Sequence, residues 1–174
     1  MEYLLETAHL RVRKFDPNDA QDLYQNHLDE ELSEWFPNES YADIAEAQGA
    51  VEFYRNCADH HQLPYVLAIE LKETGELIGD TGVNQGEGNS PEVEIGYSIC
   101  KKHRGKGYAT EAAGAMTEHI FKTFGIHALY GRVIHGNNAS QKVLEKNGYT
   151  FLREEFNAED DPYGKGMLVY KKEC

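Results

Sequence analysis

Apolar and polar residues alternate through Leu10-Arg11-Val12-Arg13-Lys14-Phe15, the two-residue period of a half-buried strand. Asp16-Pro17-Asn18-Asp19 then reads as a turn and helix cap, which predicts a helix from about Ala20 to Leu28. Ser40 is placed to cap a second helix, from Tyr41 to about Asp59, in which Ile44, Ala47, Val51 and Tyr54 recur at helical spacing. After Pro64 the period shortens again. Tyr65 to Glu70 and Leu77 to Val83 form a hairpin around Glu73-Thr74-Gly75-Glu76, and Gly86 to Pro91 is a loop. In the next strand Val93, Ile95, Tyr97 and Ile99 share one face, and Glu94, Gly96 and Ser98 share the other. A long helix follows from about Gly107 to Phe124, with Ala109, Ala112, Ala113, Met116, Ile120 and Phe124 as its inner stripe. Ala128 to Ile134 is a strand, Asn138 to Lys146 a short helix stopped at Gly148, and two strands close the chain near Tyr149–Phe156 and Met167–Lys172. The order β-α-α-β-β-β-α-β-α-β-β describes one mixed α/β (α+β) domain, residues 1–174, with helices covering a sheet.

Charge divides the chain further. Overall it holds 17 Lys+Arg against 30 Asp+Glu, a net −13, which argues against direct nucleic-acid binding because phosphate neutralisation needs surplus cations. Residues 1–60 carry 14 acids and 4 bases, whereas residues 100–146 carry 8 bases and 3 acids. An acidic entry third is equally the composition of solvated helices that keep a protein in solution. No apolar run is long enough to span a membrane, and Met1-Glu2-Tyr3 lacks the start of a signal peptide, so a cytoplasmic protein is expected. Cys57, Cys100 and Cys174 sit at no zinc-ligand spacing, and His60-His61 read as surface residues; no metal is expected.

Between a strand and the long helix lies Arg104-Gly105-Lys106-Gly107-Tyr108-Ala109. Two glycines let the backbone turn tightly and approach a ligand, and the helix start supplies unpaired N–H groups and partial positive charge. With Lys101, Lys102, Arg104 and Lys106 nearby, the segment suits a diphosphate, although such a turn is also a common solvated loop. It is neither an NTPase phosphate loop, which needs Gly-Lys-Ser/Thr, nor a dinucleotide fingerprint, since Thr110 stands where a third glycine would be.

Arg104-x-x-Gly107-x-Ala109 resembles the Arg/Gln-x-x-Gly-x-Gly/Ala motif of the GCN5-related N-acetyltransferases (GNAT). Asn137-Asn138-Ala139-Ser140, followed by Glu145-Lys146-Asn147-Gly148-Tyr149, is similar to the second cofactor segment of the RimJ/RimL-like branch, the ribosomal-protein N-terminal acetyltransferases. Leu10 to Arg13 with Asp16, Asp19 and Ala20 matches that branch's opening. The resemblance implies a central mixed, mostly antiparallel sheet of about seven strands, the fourth and fifth splayed, flanked by about four helices. It implies acetyl-CoA as co-substrate. The loop from Arg104 through Gly105, Lys106, Gly107, Tyr108 and Ala109 to Thr110 would hold the pyrophosphate, the main chain of Tyr97, Ser98 and Ile99 would pair with the pantetheine, Asn137 would contact the pantetheine arm, and Ser140 would stand near the sulfur.

Transfer of acetyl to an amine needs a base, because an alkylammonium has a pKa of about 10, and a proton for the departing thiolate. Glu94 matches the family's strand-four glutamate and is the candidate base, unless it is only a paired strand carboxylate. Many members place a tyrosine where this chain has Leu144; Ser140 is then the candidate acid, unless it is only a first-turn helix residue. Direct transfer needs no nucleophile, so Cys100 is a strand-end residue. Glu31, Glu34 and Trp35, in a stretch that also holds Asp29, Glu30, Glu39 and Asp43, form a candidate surface for a cationic acceptor, or else a solvated helix with aromatic plugs. The acceptor candidates are a protein N-terminus, a polyamine and an aminoglycoside; a non-catalytic acyl-CoA-binding domain is the rival of another class. A homodimer is compatible with the branch.

Overall fold

The computed structural model describes residues 2–86 and 90–174. One sheet has the strand order β1-β2-β3-β4-β5-β6-β8-β7. Its strands are β1 (Tyr3–Glu6), β2 (Leu10–Arg13), β3 (Tyr65–Leu71), β4 (Leu77–Gln85), β5 (Val93–Ile99), β6 (Ala128–Ile134), β7 (Thr150–Glu155) and β8 (Met167–Glu173). Five helices accompany it: α1 (Ala20–Asn26), α2 (Glu30–Trp35), α3 (Ile44–Asp59), α4 (Tyr108–Phe124) and α5 (Asn138–Lys146). The mixed, mostly antiparallel architecture agrees with the sequence, with one strand and one helix more. The predicted fourth and fifth strands are β5 and β6. Residues 87–89 of the expected loop from Gly86 to Pro91 lie outside the described residues.

The differences have local causes. The first predicted strand stops at Arg13 because that side chain turns into the interior, pairing with Asp19 at 2.6 Å and Glu70 at 3.0 Å. Phe15, expected in the same strand, instead fills the core under α1 and α3. Helix α1 ends at Asn26, two residues early, and His27 caps it. Residues 41–43 stay outside α3, and its cap is Asp43, not Ser40: the Asp43 carboxylate accepts from Glu46 N at 2.9 Å. Glu46 in turn accepts from Ala42 N at 2.5 Å, which fixes the chain just before the cap.

Helices cover both faces of the sheet. Leu67, Ile95, Met116, Ile120, Leu129 and Leu144 belong to the core on the α4–α5 side. Val66 and Ala68 face the other way, onto Leu23 of α1 and Val51 of α3. Among the described residues only β5 and β6 run parallel, and they pair at one position, Glu94 with Tyr130. Beyond that point the two strands part toward their C-terminal ends. The sheet therefore splits there, and ladder hydrogen-bonding groups of β5 face the gap.

Candidate active site

A cleft of about 550 Å³ fills the split, lined on one side by Tyr97, Ser98 and Ile99 and on the other by Asn137 and Ser140. Its far end is the loop before α4. Gly105 (φ +74°) and Gly107 (φ +84°) lie in the left-handed region that glycine tolerates. A Cβ on either would meet nothing within 4 Å, so the loop presents open main chain to the cleft. Gly107 also caps α4, whose first N–H groups have no partner within the helix. An anion with several oxygens fits this arrangement, with Lys142 and Lys146 of α5 adding positive charge on the opposite wall. Lys106 is exposed and stands outside the lining.

Arg104 is differently employed. Its Nε donates to the Ile99 carbonyl at 2.8 Å, and the guanidinium pairs with Asp29 at 2.7 Å and Glu31 at 3.2 Å. The side chain thus ties the loop to the start of α2, the helix that walls the cleft through Leu32 and Trp35. Glu31 is engaged there, while Glu34 pairs with Lys165 at 3.0 Å and lies in neither cavity of the site. Lys165 Nζ also stands 5.0 Å from the centre of the Trp35 ring, so a cation of the chain itself occupies one face of that aromatic.

Tyr97 holds a position the sequence pattern did not disclose. Its hydroxyl lies 2.9 Å from Ser140 Oγ and donates to the Ser140 carbonyl at 3.2 Å, crossing from β5 to α5 within the cleft. Burial pushes the Tyr97 hydroxyl above its ordinary range, against the smaller opposing effect of the Ser140 bond. Asn137 caps α5 by accepting from Ser140 N at 3.2 Å, which fixes the serine's place in the first turn. Leu144, by contrast, is buried against Gly131, where a Cβ would come within 2.6 Å of it, and takes no part in the cleft. Tyr149 is likewise a core residue, its hydroxyl 2.8 Å from Thr117 Oγ1.

A second cavity of about 150 Å³ adjoins the cleft and shares Trp35, Phe36, Asn137 and Ser140 with it. Glu94, Glu39 and Asp160 supply carboxylates to its wall. Glu94 Oε1 lies 3.6 Å from Arg132 Nε. Arg132 also pairs with Glu155 and, at 2.9 Å, with Asp160. Burial opposes its charge, but these carboxylates outweigh burial and raise its pKa. The arrangement suits a small cationic group that enters next to Ser140, at the deep end of the cleft.

The sequence matches the model of the acetyltransferase (GNAT) domain family over residues 9–150. This chain belongs to that family. It is an acyltransferase of the N-acetyltransferase type. An uncharacterized N-acetyltransferase, p20 of Bacillus licheniformis, is 28% identical over 165 residues, covering 95% of this chain and 90% of that one. Among solved structures, the acetyltransferase from Agrobacterium tumefaciens str. C58 is 29% identical with a TM-score of 0.74, over 100% of this chain and 95% of the other. RimL, a ribosomal L7/L12 alpha-N-protein acetyltransferase solved in complex with coenzyme A, shares the fold of this acetyltransferase with a TM-score of 0.82 at 18% identity, over 99% and 98%. No helix among the described residues is long and apolar enough to cross a membrane.

Proposed function

We propose that this acetyltransferase uses acetyl-CoA to acetylate the N-terminal amine of a protein, a ribosomal protein or another basic chain. The observation that carries the donor is the parting of β5 and β6 beside a glycine loop at a helix start. Acetyl-CoA brings a thioester whose carbonyl carbon an amine attacks and whose sulfur departs. The chain's contribution is to hold and to move protons. Main-chain groups from Tyr97 to Ile99 are available to pair with an extended arm, and the main chain from Gly105 to Thr110 cradles the diphosphate. Asn137 sets the first turn of α5 so that Ser140 faces the sulfur end, with Tyr97 able to relay a proton to the Ser140 hydroxyl. The carboxylates of the second cavity draw a cationic amine toward that point.

The protein N-terminus is preferred to other amines on two supports. The fold is shared with the ribosomal-protein acetyltransferase RimL. A cavity lined by Glu39, Glu94 and Asp160 lies beside Ser140, where a protonated terminal amine would enter. Thiol release from acetyl-CoA, followed against peptides with varied N-termini, polyamines and aminoglycosides, tests both donor and acceptor. Turnover is expected with the peptides, and Ser140→Ala is expected to lower kcat by about 10-fold or more with little change in acetyl-CoA binding. A clear preference for polyamines or aminoglycosides overturns the acceptor assignment. Tight acetyl-CoA binding without acetylation of any amine overturns the enzymatic reading in favour of a binding domain.

A further inference from the structure

Glu39 lies between α2 and α3, where the second cavity meets a third of about 160 Å³. The two cavities share Phe36, Asn84 and Gly96 as well. Gly96 of β5 lines both, and a Cβ there would meet nothing within 4 Å. An acceptor reaching Ser140 therefore has Glu39 on its flank.

The position of residue 39 is fixed from beneath. His27 Nδ1 donates to the Glu39 carbonyl at 2.7 Å, and His27 Nε2 lies 3.4 Å from Asp80 Oδ2. Ser98 Oγ donates to the same Asp80 oxygen at 2.9 Å. The chain at Glu39 is thus pinned to β4 and β5 through a buried histidine, whereas the Glu39 carboxyl has no ion-pair or hydrogen-bond partner among the described residues.

We propose that Glu39 is the group that takes the proton from the acceptor amine. The role rests on the acetyltransferase reading above and assigns one of its steps. Glu94 and Asp160, the other carboxylates of the second cavity, are both engaged by Arg132, at 3.6 and 2.9 Å. Glu94 then serves as a fixed negative charge that draws the ammonium in. Around Glu39 stand His27 after α1, Tyr41 and Tyr54, Asp80 of β4, Glu94 of β5, and Arg132 and Asp160 across the second cavity. Although residue 39 is itself exposed, the protein packed around its carboxyl raises that group to about 7, with the Asp80 charge adding to the rise and His27 opposing it. A carboxylate with that affinity is matched to a reaction near neutral pH.

One ammonium proton passes to Glu39, directly or through one water, and the freed lone pair forms the C–N bond to the acetyl carbonyl carbon. The C–S bond breaks with its electrons on sulfur, the second amine proton neutralises the thiolate by way of the Ser140 hydroxyl, and Glu39 releases its proton to solvent.

The test compares wild type, Glu39→Gln and Glu94→Gln with acetyl-CoA and the most active amine of the panel above. Wild-type kcat/KM is expected to rise with pH through about 7. Glu39→Gln should lose about 100-fold in kcat and lose that limb, with acetyl-CoA affinity unchanged. Glu94→Gln should raise KM for the amine and keep the limb. Independently of turnover, in protein labelled with 13C at the glutamate carboxyls, the resonance that Glu39→Gln removes should titrate near 7 in the wild type. A resonance titrating at the ordinary glutamate value, or a Glu39→Gln enzyme with wild-type kcat and the same limb, overturns the role alone. A wild-type protein that acetylates no amine overturns the function and this role together.

Discussion

At Gly107 the main chain takes φ +84°, and the direction in which a side chain would point is empty. These two facts separate conformational strain from ligand contact. Gly107→Ala forces an L-residue into the left-handed region, which costs about 1–2 kcal/mol and lowers Tm by about 2–8 °C. Because the new methyl touches no protein atom, any loss of acetyl-CoA affinity measured at a temperature where the variant is fully folded comes from the ligand's own approach to the loop. Calorimetric titration is expected to show affinity falling at least 10-fold. Affinity that survives the substitution while Tm drops would mean that the loop is a structural turn and not a cradle. Gly131 makes the opposite case. There a Cβ would collide with Leu144 at 2.6 Å, so that glycine is required by packing, and no ligand enters the argument.

Helix α2 is six residues long, too short to persist by propensity, and its anchors decide where the cleft wall stands. Leu32 is buried, the Asp29 carboxylate caps the helix by accepting from Glu31 N at 3.1 Å, and Asp29 and Glu31 both hold Arg104. The guanidinium nearest the phosphate loop is therefore shared with two carboxylates that repel an anionic donor. Asp29→Asn keeps a capping side chain and removes one of those charges. Acetyl-CoA should bind more tightly, by up to about fivefold for a partly exposed pair, with the gain shrinking as salt is raised. Weaker binding would show instead that the ion pair organises the loop. These features also mark the limit of what could be read from the chain. Elements with a long apolar period, such as β5, α4 and α5, were legible because burial on one face writes the period into the sequence. Strand β1 and helix α2 were not: Tyr3-Leu4-Leu5-Glu6 does not alternate, and α2 buries a single residue, Leu32. The donor side of the site was legible for a related reason: Arg104, Gly105, Gly107, Asn137 and Ser140 lie in two short segments with their own spacing. Glu39, Asp80, His27 and Arg132 come together from four separate stretches by the closure of the sheet, and the hydroxyl of Tyr97 reaches Ser140 only because β5 and α5 face each other.

For the molecule as a whole, the net charge of −13 conceals an acidic first third and a basic stretch over residues 100–146, of which Arg104, Lys142 and Lys146 line the cleft. The acids differ in the direction in which the fold moves them, and this shapes stability against pH. Glu76 is held below 4.5 chiefly by its hydrogen bond from Lys102. Burial works to raise Glu111 and Glu155, but bonds from Thr7 and His9 to the first, and from Arg132 and Arg153 to the second, lower them. The stability these three contribute is present above 4.5 and disappears as pH falls through their lower folded values. Glu39 behaves in the opposite sense. Between 4.5 and about 7 the folded protein holds a proton there that the unfolded chain has released, so stability falls as pH rises across that interval. His27 continues the decline: burial opposes its charge, yet its bonds to Asp80 and the Glu39 carbonyl raise it above 6.5, and the proton is lost as pH passes the folded value. The ligand-free protein should therefore melt highest in mildly acidic buffer and lose Tm steadily toward pH 8. Thermal unfolding followed by circular dichroism at constant ionic strength measures this. Glu39→Gln removes the segment between 4.5 and about 7, so its Tm should match that of the wild type in acid and exceed it at pH 8. Two curves running parallel across the range would show that the Glu39 carboxyl is as well hydrated in the fold as in the open chain. With diverging curves, the surroundings that fit Glu39 to accept a proton near pH 7 are also what lower the stability of the fold at that pH.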